Sequence, residues 1–254
     1  MWKIYDELIE SVPRDLVVND CCVGLNWTLV KSRTTGVAMT PKEGSGSVSM
    51  AGGIVGMGVR ELAGYIKSWD NFEAAVALAA INSAINTEEQ VQRMTGRFVS
   101  EHRQTNAFIY YSNLLSGKKV AVIGHFPDLD QLDKICELSV LERRPGPGDF
   151  PDPACEYLLP QQDYVFITGT TLINKTLPRL LQLTRKSKVI LVGPSTPLTP
   201  RLFAHGISTL AGSVITDDKV WSFVRTGGDG MSIFKYGCNM VKISSSEVEK
   251  CLMK

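Results

Sequence analysis

Three short runs early in the chain, DLVVNDCCVG (Asp15–Gly24), LNWTLVKS (Leu25–Ser32) and TGVAMT (Thr35–Thr40), alternate Val, Leu, Trp and Thr with polar residues. A period of two marks a half-buried strand, so the runs predict an antiparallel meander. Thr34-Thr35-Gly36 is placed to make a hairpin turn. Periodicity is then lost in a Gly/Ser-rich stretch, Gly44–Gly58, which reads as a loop and, if it faces a ligand, as a lid. Helical spacing follows. VRELAGYIKSW (Val59–Trp69) is amphipathic, while DNFEAAVALAAINSAIN (Asp70–Asn86) is apolar on nearly every side and must be packed all round. Asp70 with Glu73 outlines a capping box, and Thr87 with Gln90 marks the start of a further helix.

From Lys118 the pattern switches. KKVAVIG (Lys118–Gly124), LSVLE (Leu138–Glu142), DYVFITG (Asp163–Gly169), KVILVG (Lys188–Gly193) and ISTLAG (Ile207–Gly212) are continuous apolar runs separated by helical or loop segments. Strands apolar on both faces belong to a covered parallel sheet, and their alternation with helices predicts a doubly wound arrangement. A helix in DDKVWSFVRTG and a last run, SIFKYGCNMVKI, complete the pattern. The expected fold class is α/β in two domains: an α+β unit over residues 1–112 and a Rossmann-like, mostly parallel sheet over residues 113–254.

Composition narrows the classes. With 254 residues, 44% hydrophobic and 21% charged, the chain can bury a sizeable core. A net charge of +1 gives no field that would draw nucleic acid or an acidic membrane surface. No apolar run approaches the roughly 20 residues of a membrane span. The opening MWKIYDELIESV carries acids in an amphipathic pattern, unlike a secretory leader. The six cysteines form no CxxC pair and no Cys/His ladder. They read as reduced, mostly buried thiols of a cytoplasmic protein. The expected partner is a small molecule or metal, with neither nucleic acid nor membrane; a homo-oligomer stays open.

In an open α/β sheet, ligands sit beyond the carboxyl ends of the strands. After the first such strand stands Gly124-His125-Phe126-Pro127. Gly124 permits a tight turn, but there is no G-x-G-x-x-G, and His125 and Phe126 are bulky where a pyrophosphate needs small residues. His125 reads either as a histidine held by a carbonyl or as a ligand, metal or acid–base group. Glu142, at the end of the second run, fits a ribose-binding acid, a hard metal ligand or a solvated rim carboxylate. Arg143 and Arg144 suit bidentate pairing with an anion, or a surface charge pair. The stiff RPGPGDFPDP segment is a pocket wall or a connector. Thr168-Gly169-Thr170-Thr171, with Asn174, precedes a helix, as an anion cradle or as ordinary capping. Gly193-Pro194-Ser195-Thr196 is a pre-set turn whose hydroxyls suit hydrogen bonding to a ligand. Ser195 lacks a G-x-S-x-G setting and is no hydrolase nucleophile. Gly227–Gly230 reads as a hairpin turn or a ligand-facing loop, and His102 and His205 as background.

Taken in order, VAVIGHFP, VLERRPGPGDFPDPACEYLLP, ITGTTLINKTLPRLL and VGPSTPLTPRLF, with EAAVALAAINSAIN upstream, resemble the bacterial and archaeal family described as "putative heavy-metal chelation", over nearly the whole chain. The resemblance implies a small domain like the N-terminal domain of enolase joined to a Rossmann-like domain, with a site at their junction. It implies a role in handling a heavy metal or a metal-bearing compound. It carries Gly124, His125, Phe126, Glu142, Arg143, Thr168, Gly169, Thr170, Thr171, Asn174, Gly193, Pro194 and Ser195 into that site; the strand-end reading adds Thr196 and makes His125 and Glu142 candidate metal ligands. Three histidines and no cysteine cluster make a sparse cage for a soft metal, so an organic ligand that brings its own metal is expected. Two other classes stay open: an enzyme using NAD(P) or S-adenosylmethionine in a divergent site, and a non-catalytic small-molecule binding protein.

Overall fold

The computed structural model describes residues 2–102, 106–127 and 129–252. Helix α1 (Lys3–Glu10) precedes a meander of β1 (Asp20–Val23), β2 (Trp27–Lys31) and β3 (Thr35–Met39). Helices α2 (Val59–Gly64), α3 (Asn71–Ile85), α4 (Glu88–Thr95) and α5 (Ala107–Leu115) follow. Then come β4 (Lys119–Ile123), α6 (Leu129–Asp133), β5 (Glu137–Glu142), β6 (Phe150–Pro151), α7 (Cys155–Leu158), β7 (Tyr164–Thr168), α8 (Leu177–Leu183) and β8 (Lys188–Val192). The chain continues through β9 (Ile207–Ile215), α9 (Lys219–Arg225), β10 (Cys238–Ser244) and α10 (Ser245–Leu252).

The fold is α/β. One sheet is the antiparallel β1-β2-β3; the other has seven strands in the order β10-β9-β8-β7-β4-β5-β6, parallel except for β10. The period-two alternation is met with apolar groups on both faces, because both faces are covered. In the large sheet Ala121, Ile123, Val165, Ile167 and Leu191 face the main core, while Val120, Val122, Phe166 and Ile190 face Phe108, Tyr111 and Leu115 of α5. In the small sheet Val30 and Ala38 join the main core, and Trp27, Leu29 and Val37 pack against Val220, Trp221 and Val224 of α9. Helix α3 is buried from Ala74 to Ile85 and shares the main core with both sheets.

The structure corrects three local expectations. The β2–β3 turn falls on residues 32–34, and Thr35 and Gly36 lie in the strand. A Cβ on Gly36 would stand 2.1 Å from Ala79 O and from Ser83 N, so this glycine serves the close approach of α3 rather than a turn. The capping box is half formed. Asp70 Oδ1 accepts from the N–H groups of Phe72 (2.8 Å) and Glu73 (3.2 Å), but Glu73 turns away to Ser49 and Ser68. All six cysteines are free, but only Cys155 and Cys238 are buried. Thr87 does cap α4, its Oγ1 accepting from Gln90 N–H at 3.1 Å. Among the described residues no helix is long and apolar enough to cross a membrane.

Candidate functional site

Strand β4 lies between β5 and β7, so the chain winds first to one side of β4 and then returns to the other. The carboxyl ends of β4 and β7 are therefore the topological switch point, where such sheets open a crevice. Gly124 and Thr168 meet there. Gly124 adopts φ +100°, and a Cβ on it would lie 3.2 Å from Thr168 Cγ2. The crevice has two lobes that share Met39, Gly124, Glu142, Thr168 and Thr170. One, of about 230 Å³, is termed the polar lobe for the charged and hydroxyl side chains on its walls, and runs between residues 40–43 with Asn71 and the ends of β5 and β7. The other, of about 470 Å³, is mainly apolar; Trp27, Phe108, Phe126, Phe234 and Met240 line it, with Gly193 and Pro194 at the end of β8.

Phe126 lies between the turns that end β4 and β8. Its ring would contact a Cβ on Gly124 at 3.4 Å and one on Gly193 at 3.8 Å, and it packs 5.3 Å from the Phe108 ring. A dinucleotide's pyrophosphate needs the space between those turns. His125 is exposed, with Nδ1 3.4 Å from Asp149 Oδ2. The Asp149 side chain is only 7% exposed and accepts the Gly146 N–H at 2.9 Å. The Pro/Gly-rich segment thus delivers a buried carboxylate to one side of the imidazole and leaves Nε2 for a ligand. Asp149 has no sequence signal; only the folding of that loop brings it to His125.

In the polar lobe both arginines face carboxylates. Arg143 Nε faces Asp152 Oδ2 at 3.5 Å, and Arg144 Nε donates to Glu43 Oε1 at 2.8 Å. Lys42 Nζ donates to Leu25 O and Asn26 Oδ1. Glu142 Oε2 accepts the Arg143 N–H at 2.9 Å and borders both lobes. Of these, Met39 to Glu43 were not expected from sequence, although they too follow a strand end.

The loop after β7 is a 3-10 turn, Gly169–Leu172, rather than an open cradle. The Thr168 and Thr170 hydroxyls lie 3.0 Å apart, Thr171 Oγ1 donates to Thr168 O at 2.7 Å, and Asn174 Oδ1 accepts from Thr176. Thr168, Thr170, Thr171 and Asn174 still line the polar lobe. The next residue, Lys175, is buried with φ +63°, a conformation that non-glycine residues rarely adopt. Its Nζ donates to Ile173 O at 2.6 Å. Burial pushes its amine down to about 8, against the opposing pull of Asp70 and Glu73.

Gly169, Ser195 and Thr196 line neither lobe. Ser195 Oγ accepts the Met39 N–H at 2.9 Å, and its carbonyl accepts Asn82 Nδ2 at 3.1 Å. Thr196 O accepts Asn86 Nδ2 at 3.0 Å, and a Cβ on Gly169 would lie 2.9 Å from Thr196 N. These residues join the two sheets instead of facing a ligand. Residues 44–58 do not line the crevice either; Ser45 and Ser49 are tied to Asp70 and Glu73 at the start of α3. Gly230 borders the apolar lobe, with Asp229 Oδ1 capping Met231 and Ser232. His205 pairs with Glu7 at 2.6 Å on α1, outside both lobes. Among the described residues no group of three or more His, Cys, Asp or Glu side chains is placed to hold a metal ion.

A family model described as "putative heavy-metal chelation" matches residues 106–243, and a second with the same description matches residues 5–85. An uncharacterized protein of Methanocaldococcus jannaschii is 30% identical over 244 residues, 90% of each chain. Among solved structures, a protein with unknown function from the DUF364 family of Desulfitobacterium hafniense is similar at TM-score 0.87 and 35% identity, covering 96% of this chain and 98% of that one. A DUF364 protein from Pyrococcus horikoshii shares the fold at TM-score 0.75 and 19% identity, over 95% and 98% of the two chains.

Proposed function

We propose, because the chain belongs to the family described as "putative heavy-metal chelation", that it binds a metal-bearing small organic compound in the two-lobed crevice. The observation that carries this is a mismatch between room and donors. The lobes, about 230 and 470 Å³, suit a small molecule, whereas imidazole and carboxylate donors are too sparse to wrap a bare ion. The compound would bring most of its metal's coordination sphere. His125 would complete it through Nε2, since a carboxylate on the other ring nitrogen is the usual way a ligating histidine is oriented. Two units, residues 1–112 and 113–254, are part of the proposal, with the crevice between them.

Native mass spectrometry of the protein as purified, with elemental analysis, tests this. A stoichiometric metallated small molecule is expected, with His125→Ala weakening its retention by about tenfold or more. Retention of the same cargo by His125→Ala at wild-type affinity removes His125 from the site; a cargo without metal rejects the reading.

A second reading, an enzyme with a nucleotide-type cofactor, is favoured by Glu142 alone, at the strand end where such folds hold a ribose. Phe126 between the turn glycines counts against it. Saturation with NAD(P)H or S-adenosylmethionine at ~100 times the dissociation constant would add about 2.7 kcal/mol of stability. No thermal shift with any of these discards it.

A further inference from the structure

We infer that the apolar lobe is a thioether site for a soft metal ion of the Cu(I) or Ag(I) class, formed by Met39, Met231 and Met240 with His125 beside them. This rests on the reading that the crevice handles a metal, and it names the kind of metal.

Among the described residues the methionines fall into two sets. Met50 and Met94 are buried in the main core, and Met57 packs against it, as ordinary apolar filling. Met39, Met231 and Met240 come from three separate elements, the end of β3, the loop after α9 and β10, and line one lobe. Met39 is 42% exposed and Met231 56% exposed, so neither is there to fill a core. Thioether sulfur is a soft donor and selects soft metals. It has no proton to lose, so its affinity does not depend on deprotonation, unlike that of a thiol. Three rotatable bonds let such side chains converge on one point from different walls.

The usual soft ligands are withheld. Among the described residues no cysteine lines either lobe. Burial pushes the Cys21, Cys155 and Cys238 thiols up to about 12, and none of the three borders the crevice. Within the crevice the soft donors are thioethers. Trp27 and Phe126 add aromatic surface to the same lobe, and an aromatic face attracts a cation.

The probe is Ag(I), added to the full chain carrying ¹³C-methyl methionine and compared with the triple variant M39L/M231L/M240L. Methionine and leucine are close in volume, so the fold should survive, as matching thermal unfolding would verify. The expected result is that the three lobe methyls shift together and saturate at one equivalent, while those of Met50, Met57 and Met94 stay still. By native mass spectrometry the wild type should hold one more silver ion per chain than the variant, which cancels thiol-bound silver common to both. Should the triple variant fail to fold, Met231→Leu alone serves, with affinity expected to fall about tenfold or more. Equal silver counts and unmoved lobe methyls overturn the thioether site. If Co(II) or Zn(II) is then still captured in a His125-dependent manner, the metal reading stands without thioethers. If Ag(I), Co(II) and Zn(II) all pass the crevice by, the thioether site falls, while the metallated-compound reading stands or falls on the mass of the native cargo.

Discussion

Lys175 keeps an amine where water hardly reaches it, at 6% exposure. At pH 7 the amine is charged in the folded and unfolded chain alike, and the folded state bears the full cost of burying that charge. Above about 8 the folded chain releases the proton, while the unfolded chain keeps it to ~10.4. The unfolded chain then binds more protons, so stability rises with pH across that window, by an amount on the order of 3 kcal/mol. Lys175→Met should therefore be more stable than wild type at pH 7 and lose the rise between pH 8 and 10 in denaturant titrations. A variant that keeps the wild-type slope would contradict this account. None of this was legible in the sequence: a lysine between Asn174 and Thr176 gives no sign of a positive φ, which only glycine or asparagine would have hinted at. His125 was legible as a strand-end residue. Its orienting carboxylate was not, because Asp149 arrives through a loop whose path the sequence leaves open.

At the scale of elements, the contact of α3 with β3 has the least slack. Gly36→Ala would drive a Cβ to 2.1 Å from the helix backbone, where no side chain can yield. A loss of about 3 kcal/mol in chemical denaturation is expected, at unchanged denaturant dependence. A loss well under ~1 kcal/mol would mean that α3 can move away from the strand. Strands β2 to β5 and β7 to β9 were legible from their apolar runs, because period-two and continuous patterns both survive when each face finds cover. Gly36 was misread because a glycine after two threonines gives the same signal in a turn and at a close crossing. The helix at Leu177–Leu183 was legible, but the 3-10 turn of Gly169–Leu172 before it carries no periodicity of its own, and so the hydroxyls of that stretch read equally as a cradle or as capping.

At the scale of the molecule, Asn86 ties three segments together. Its Nδ2 donates to Thr196 O and Ser213 O, both at 3.0 Å, and its Oδ1 accepts the Leu198 N–H at 2.8 Å. Asn86→Ala would leave three buried backbone groups unpaired, at a cost of about 3 kcal/mol, or roughly 6–12 °C in melting temperature. Since one core includes residues of both sheets, the wild-type chain should unfold in a single calorimetric transition. Two resolved transitions, with only one moved by the substitution, would show that the sheets fold separately. The same junction explains why Ser195 and Thr196 were read as ligand-facing. The strand-end rule assigns every residue after a strand to the crevice, and it does not see that a second sheet and α3 dock on part of that edge. The large sheet itself ends at β6, two residues long, whose Pro151 offers no N–H to a further strand. Fibre growth by strand addition requires two open edges on every molecule. With one edge closed by proline, pairing between copies through the large sheet stops at two.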